Sequence, residues 1–215
     1  ETQVLQATQE VRARERETLL KLAKAGEYRD EDTGNHIIRM AKYSRLLAEE
    51  LNLSPHECEE IESAAPMHDI GKIGISDLIL LKPGAHTPEE SMIMRRHPEI
   101  GYEILSDSPS RYLQMGAAIA LAHHEKFDGT GYPHGQAGSA IPLPARIVAV
   151  ADVFDALTSV RPYKTAWTFQ KALEYIQSNS GKHFDPDCVR AFEKRVDAVA
   201  QIMQELGDPV AQKAE

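Results

Sequence analysis

The stretch that most constrains this chain is ARIVAVADVFDALTS, residues 145 to 159. Opened by Pro144 and apolar nearly all the way round, it reads as a helix buried on every side. Such a helix needs others packed around it, so the chain must assemble a helical core. Yet it carries two carboxylates, Asp152 and Asp155. A buried carboxylate is costly unless it pairs with a cation or coordinates a metal. A salt bridge to a core Arg or Lys meets that condition, and so does a metal site.

The surrounding sequence supplies the partner helices. The chain has 215 residues, enough for one large domain or two small ones, and its hydrophobic fraction of 42% supports a core. Residues 2 to 25 contain no Gly or Pro and place Val4, Val11, Leu19 and Leu22 as a sparse apolar stripe on a charged helix. That helix is either a solvated leader or a coiled-coil-like connector. His36, Met40, Tyr43, Leu47 and Leu51 share one stripe at helical spacing. Ser54-Pro55-His56-Glu57 is a capping box that starts a helix at 55, with Ile61, Ala65 and His68 inward, broken by Gly71 and Gly74. Residues 88 to 95 and 98 to 106 read as short helices interrupted around His97-Pro98. A helix over 111 to 124 carries Leu113, Ala117, Leu121 and His124 on one side, and helices over 168 to 179 and 185 to 206 finish the chain. With no convincing alternating strand and no repeat, the fold class is all-α.

Charge and cysteine content exclude several functions. A formal net charge of -9 and a pI near 5.5 argue against non-specific binding to nucleic acid or an anionic membrane. Cys58 and Cys188 are far apart and form no CxxC pair, so a disulfide framework is not indicated. No apolar run reaches the length of a membrane span and no signal peptide is visible, which makes the cytoplasm the expected location. A start at Glu1 without Met fits a piece of a longer protein.

The histidines shift the balance for the carboxylates. Of nine, five sit where a helix ends or its inner face turns to the centre: His36, His68, His97, His123 and His124. A single histidine on an apolar stripe is more often a satisfied core residue than a ligand. Five of them, with Asp69 and Asp152, are hard to satisfy by hydrogen bonds alone. Mixed imidazole and carboxylate donors suit Mn, Fe, Ni or Zn, and the absence of thiolates argues against a structural zinc knot. So many donors exceed the needs of one ion, whereas two ions sharing the oxygens of Asp69 use them all. Such pairs activate a water and clamp phosphoryl oxygens.

At this point the sequence resembles a known family. His36, His68-Asp69, His97, His123-His124 and Asp152 follow the ligand order of HD-domain phosphohydrolases in their HD-GYP form. HDIGKIGI (68 to 75) and HHEKFDGTGYP (123 to 133) look like its two defining motifs, and RIVAVADVFDALTSVRPYK (146 to 164) is similar to its third. The resemblance covers roughly residues 18 to 200. It implies an HD-domain helical bundle with a long N-terminal connector helix: 1 to 25 as linker, 26 to 206 as catalytic domain and 207 to 215 as a flexible tail.

The resemblance further implies a phosphodiesterase that opens cyclic di-GMP to pGpG, and often on to GMP, with two divalent transition-metal ions. Fe or Mn are the expected metals, with Ni or Zn as alternatives. His36, His68, Asp69 and Asp152 hold one ion in this reading. Asp69, His97, His123 and His124 hold the other, with Asp69 bridging. Lys72 approaches a phosphate oxygen, Arg161 and Lys164 neutralise the second phosphate, and Asp30 touches a guanine or an adjacent group. Gly131, Tyr132 and Pro133 form a lip that shapes substrate access or a partner contact. Members with a third metal carry Glu four residues before the first histidine, where this chain has Asp32, one methylene shorter. Asp32 is otherwise an N-terminal helix charge, and the implied centre holds two metals.

Implied partners are cyclic di-GMP, an upstream receiver or sensor domain, a cyclase-domain protein at the GYP loop, and a second copy through the N-terminal helix. Two other functions compete: a binding module with little turnover, and a phosphohydrolase for another nucleotide. The remaining polar residues have plainer readings. His56 lies in the capping box, His86 and His134 are exposed in polar loops, and His183 helps the turn before Asp185, a helix N-cap. Glu125, Lys126 and Asp128 are loop residues, and Asp155 supports the site as a partner for Arg161.

Overall fold

The computed structural model describes residues 2–28, 35–159 and 165–207. Asp30, Asp32, Arg161, Lys164 and the tail beyond Gly207 lie outside these residues. The described chain is helical: α1 (Thr2–Glu27), α2 (His36–Glu50), α3 (Pro55–Ala64), α4 (Asp77–Leu80), α5 (Pro88–Met94), α6 (His97–Ser106), α7 (Arg111–Ala122), α8 (Leu143–Thr158), α9 (Phe169–Ser178), α10 (Pro186–Lys194) and α11 (Val196–Glu205). Among the described residues there is no strand, only isolated bridges at Asp128–Ala137 and Ser180–Phe184. The fold is all-α.

The fully apolar helix takes the central place its sequence demands. No residue from 145 to 159 is exposed, and α8 packs against α2, α7, α9 and α10. Phe154 meets Tyr43 edge to face at 5.8 Å and lies against Phe169 and Phe192. Each such buried side chain contributes roughly 1.5–3 kcal/mol. On α2, Met40, Tyr43 and Leu47 are fully buried, as their spacing predicts, and join one core with Ile61, Met67, Ile119 and Ile147. The capping box at Ser54 forms on both sides, with Ser54 Oγ accepting from Glu57 N–H and Ser54 N–H donating to Glu57 Oε2 at 2.8 Å.

Three elements differ from the sequence expectation. The helix begun at Pro55 stops at Ala64, and Ala65–Met67 form a 3-10 turn, so His68 leaves a tighter turn than the one spacing assumed. Pro66 explains this, because it has no N–H to continue the α-ladder. The helix expected over 185 to 206 breaks at Arg195, whose φ of −112° and ψ of 13° leave the helical region. On α1, Val4 and Val11 are 70% and 64% exposed and Leu22 is 45% exposed, so only Leu19 of the expected stripe is buried. The face that packs is instead Leu19, Ala23 and Glu27, at strict i, i+4 spacing. Among the described residues, no helix is long and apolar enough to cross a membrane.

Candidate metal centre

Three helix ends, two 3-10 turns and the middle of α8 meet at the site. His36 is the first residue of α2, and His97 is the first of α6. His123 and His124 follow the last residue of α7, while His68 and Asp69 sit between two 3-10 turns. Asp152 projects from the middle of α8. Helix ends suit this task because consecutive side chains there can converge, as His123 and His124 do with ring centroids 4.0 Å apart. His36, His68, His97 and His123 are all buried. Asp152, read from sequence as buried, is half-buried.

Gly71 fixes the approach of these elements. A Cβ on it would lie 1.9 Å from the His97 carbonyl oxygen and 2.5 Å from Gly101 N, so only glycine lets the turn after Asp69 sit against α6.

Hydrogen bonds set the tautomers. His68 Nδ1 lies 3.1 Å from the Ala65 carbonyl, His97 Nδ1 2.8 Å from Met94, and His123 Nδ1 2.9 Å from Ala120. A carbonyl only accepts, so each Nδ1 carries a proton and each ring turns its Nε2 to the centre. His97 Nε2 and His123 Nε2 face each other at 3.5 Å. His36 is held by a carboxylate instead. Its Nδ1 donates to Asp155 Oδ2 at 2.8 Å, and Asp155 also accepts from Arg39 at 2.7 and 2.8 Å and from Ser159 at 3.0 Å. Asp155 thus supports a histidine, and its cation among the described residues is Arg39, while the expected partner Arg161 lies outside them.

Asp69 is the junction. Its Oδ1 lies 3.1 Å from His97 Nε2 and 3.5 Å from His123 Nε2, while its Oδ2 lies 3.3 Å from His68 Nε2. Lys72 Nζ joins Oδ2 at 2.8 Å. Asp152 Oδ1 stands 3.7 Å from His36 Nε2 and 3.8 Å from His68 Nε2. Donor atoms of Asp69, His97, His123 and His124 lie within 4.8 Å of one another, and those of Glu27, His36 and His68 do likewise. Asp69 Oδ1, His68 Nε2 and Glu27 Oε2 are enclosed with no hydrogen-bond partner among the described residues. Buried polar atoms are normally satisfied. Orphaned acceptors on mixed imidazole and carboxylate donors fit a centre able to hold metal ions.

Electrostatics point the same way. Burial alone would lower the His68 imidazole, but Asp69, Asp152 and Glu27 outweigh it and hold it up at about 10. Burial pushes Glu27 up to about 7, against the pull of His68 and His36. Burial would raise Asp69, yet Lys72 and then His68 keep it well below the usual carboxylate range. His124 is depressed by burial and by its neighbour His123. Protons therefore gather on the Glu27–His36–His68 side, where carboxylates crowd and positive charge is wanted.

The GYP loop closes one side. Tyr132 stacks on His124 with centroids 4.7 Å apart, and the Arg95 guanidinium lies 4.9 Å from the Tyr132 ring centre. Gly131 presses on the backbone, since a Cβ there would lie 2.3 Å from Lys126 N, and Pro133 follows half-buried. Glu125, taken from sequence as a loop residue, is 2% exposed and accepts from His134 N–H at 2.7 Å and Gln136 N–H at 3.1 Å. Asp128 caps the loop by accepting from Thr130 N–H at 2.9 Å. His86 is half-buried rather than exposed, with Nε2 2.8 Å from the Ile79 carbonyl, whereas His134 is exposed as expected. Asp185 caps α10 through Asp187 N–H at 2.7 Å.

Sequence reasoning missed Glu27, Arg39, Arg95 and the anchoring role of Glu125. For Glu27 one signal existed: it extends the Leu19–Ala23 stripe by one turn. Arg39 follows His36 by three residues, which places both on one helix face. No local pattern marks Arg95 or the burial of Glu125.

A helical domain whose turns converge on a shared carboxylate and clustered imidazoles presents a candidate metal centre built from helix ends. The chain belongs to the HD-domain family, whose model, described as HD domain, matches residues 10–188. It is 57% identical over 191 residues to the cyclic di-GMP phosphodiesterase response regulator RpfG of Xanthomonas campestris pv. campestris, covering 89% of this chain and 50% of that protein. It is 52% identical over 178 residues to a cyclic di-GMP phosphodiesterase of Thermotoga maritima, covering 83% of this chain and 48% of that protein. The chain thus spans about half the length of these curated relatives. Its fold is similar to the crystal structure of a cyclic GMP-AMP specific phosphodiesterase of Vibrio cholerae, with TM-score 0.67 and 20% identity over 90% of this chain and 51% of that one.

Proposed function

We propose that this chain is a metal-dependent phosphodiesterase that hydrolyses cyclic di-GMP to pGpG and onward to GMP. The observation that carries the reading is Asp69, whose two carboxylate oxygens divide between His68 on one side and His97 and His123 on the other. The names of the curated relatives support the substrate class. In this reading His36, His68, Asp69 and Asp152 hold one divalent ion, and Asp69, His97, His123 and His124 hold a second. Nitrogen and oxygen donors without thiolate favour Fe or Mn. When bound, such a pair supplies a water of lowered pKa and positive charge for phosphoryl oxygens.

The chain's own residues then have distinct tasks. Carbonyl-bonded Nδ1 atoms keep His68, His97 and His123 in one tautomer and one orientation. Lys72 holds Asp69 Oδ2 and places its ammonium beside the cluster, in reach of an approaching phosphate oxygen. Tyr132 covers His124 and shields that side from solvent. Net hydrolysis adds one water across a P–O3′ bond, leaving a 5′-phosphate and a 3′-hydroxyl. Asp30, Arg161 and Lys164 are proposed as contacts to the dinucleotide, and the GYP lip as the surface that meets substrate or a partner protein.

The test is metal analysis of anaerobically purified protein, paired with an assay for pGpG and GMP. The expected result is bound Fe or Mn, turnover of cyclic di-GMP, and its loss in His68→Ala and Asp69→Ala. Full activity in either variant defeats the reading. Tight binding of the dinucleotide without turnover in the Mn- or Fe-loaded protein supports a sensor instead, and faster cleavage of another nucleotide moves the substrate assignment.

A further inference from the structure

The last residue of α1 is a carboxylate in an unfavourable position on three counts. Glu27 is 7% exposed, and its Oε2 is enclosed with no hydrogen-bond partner among the described residues. Burying an unpaired carboxylate costs several kcal/mol, on the order of what a buried ion loses on leaving water. Glu27 also ends its helix, where the macrodipole is negative and an anion is disfavoured. The polar atoms gathered beside it are ring nitrogens of His36 and His68, within 4.8 Å of it and of one another, and His68 Nε2 is likewise without a hydrogen-bond partner. Two imidazole nitrogens and one carboxylate oxygen around one point form a donor set for a cation.

The placement is built rather than incidental. Leu19 and Ala23 are buried on the same face of α1 and carry Glu27 inward one turn later. Gly26 lies against the turn after Asp69, where a Cβ would stand 2.6 Å from the flexible end of Ile70, its Cδ1. We propose that Glu27 is a carboxylate ligand of the cation held between His36 and His68, so that the end of α1 is tied to the metal centre. The inference rests on reading the cluster as a metal centre. Its consequence is that metal occupancy and the seating of α1 are linked, each favouring the other.

The experiment strips the whole protein with a chelator and reloads it anaerobically with Mn2+. Bound Mn per chain and chelator-competition affinity are measured for wild type, Glu27→Gln and His68→Ala, with amide hydrogen exchange of wild-type α1 read with and without Mn2+. The expected result is a ten- to hundredfold weaker site in Glu27→Gln, and Mn2+-dependent protection of residues 20 to 27 in wild type. The metal-free melting temperature of Glu27→Gln is expected to match or exceed wild type, because the amide removes a buried charge. Wild-type Mn affinity in Glu27→Gln overturns the inference. So does the absence of Mn2+-dependent protection in wild-type α1, a readout that stands even where the variant folds poorly. If His68→Ala also binds Mn like wild type, the metal-centre reading falls too. If His68→Ala loses metal and Glu27→Gln does not, only the role of Glu27 falls.

Discussion

Asp155 Oδ2 accepts a hydrogen bond from His36 Nδ1 at 2.8 Å, and both residues are buried, Asp155 completely. Burial would raise the Asp155 carboxyl, but His36 and Arg39 hold it below its ordinary value. The carboxylate therefore fixes the imidazole's tautomer and orientation while neutralising buried Arg39. Asp155→Ala removes that neutralisation and is expected to cost about 3–5 kcal/mol in urea denaturation. Asp155→Asn keeps the shape but sets an NH2 against donors, and is expected to weaken Mn binding about 10–100-fold. Chelator competition reads the second effect. Unchanged affinity in Asp155→Asn would show that His36 does not depend on this contact.

Gly71 decides whether the two halves of the cluster meet. With the His97 carbonyl 1.9 Å from where its Cβ would stand, any side chain must push α6 away from Asp69. Overpacking of this kind costs typically 1–3 kcal/mol, and backbone rather than a flexible side chain is the obstacle here, so Gly71→Ala is expected at or above about 3 kcal/mol. Displacing His97 from Asp69 Oδ1 also predicts loss of Mn at the His97–His123–His124 side. Thermal unfolding and bound-metal analysis check both. A Gly71→Ala protein with wild-type melting temperature and full metal content refutes the argument.

What sequence made legible was periodicity and residue type. The α8 stretch announced its burial because all its faces are apolar, and His36, Met40, Tyr43 and Leu47 announced their face by spacing. Five histidines at helix ends signalled a shared centre because no core leaves that many imidazoles unsatisfied. Contacts across large sequence separations stayed hidden. Asp155 and Arg39 are 116 residues apart and meet only because α2 crosses α8. Glu27 was obscured by a leader helix whose exposed apolar residues mimic a stripe. His68 was assigned to the end of α3 because a 3-10 turn and an α-turn present inward positions at nearly the same spacing.

The loop that carries Tyr132 depends on a residue that looked ordinary in sequence. Glu125 follows the two histidines directly, and its buried carboxylate accepts from His134 N–H through Oε1 at 2.7 Å and from Gln136 N–H through Oε2 at 3.1 Å. These two bonds span Gly131–Pro133 and draw the loop back over His124, where Tyr132 stacks. Glu125→Ala leaves two backbone donors without their acceptor, at about 1–3 kcal/mol each if they stay unsatisfied, whereas Glu125→Gln keeps one carbonyl oxygen and loses about half of that. The fold beneath rests on the α2, α7 and α8 core and is expected to remain, so the loss appears as local opening of the loop. Amide hydrogen exchange is expected to accelerate at residues 130 to 136 in Glu125→Ala, less in Glu125→Gln, and to stay unchanged within α8. Under the proposed activity, the KM for cyclic di-GMP rises in the same order, because an open lip positions substrate less well. Equal exchange in all three proteins would mean that the loop is held by Tyr132 and Gly131 packing alone, with Glu125 a bystander.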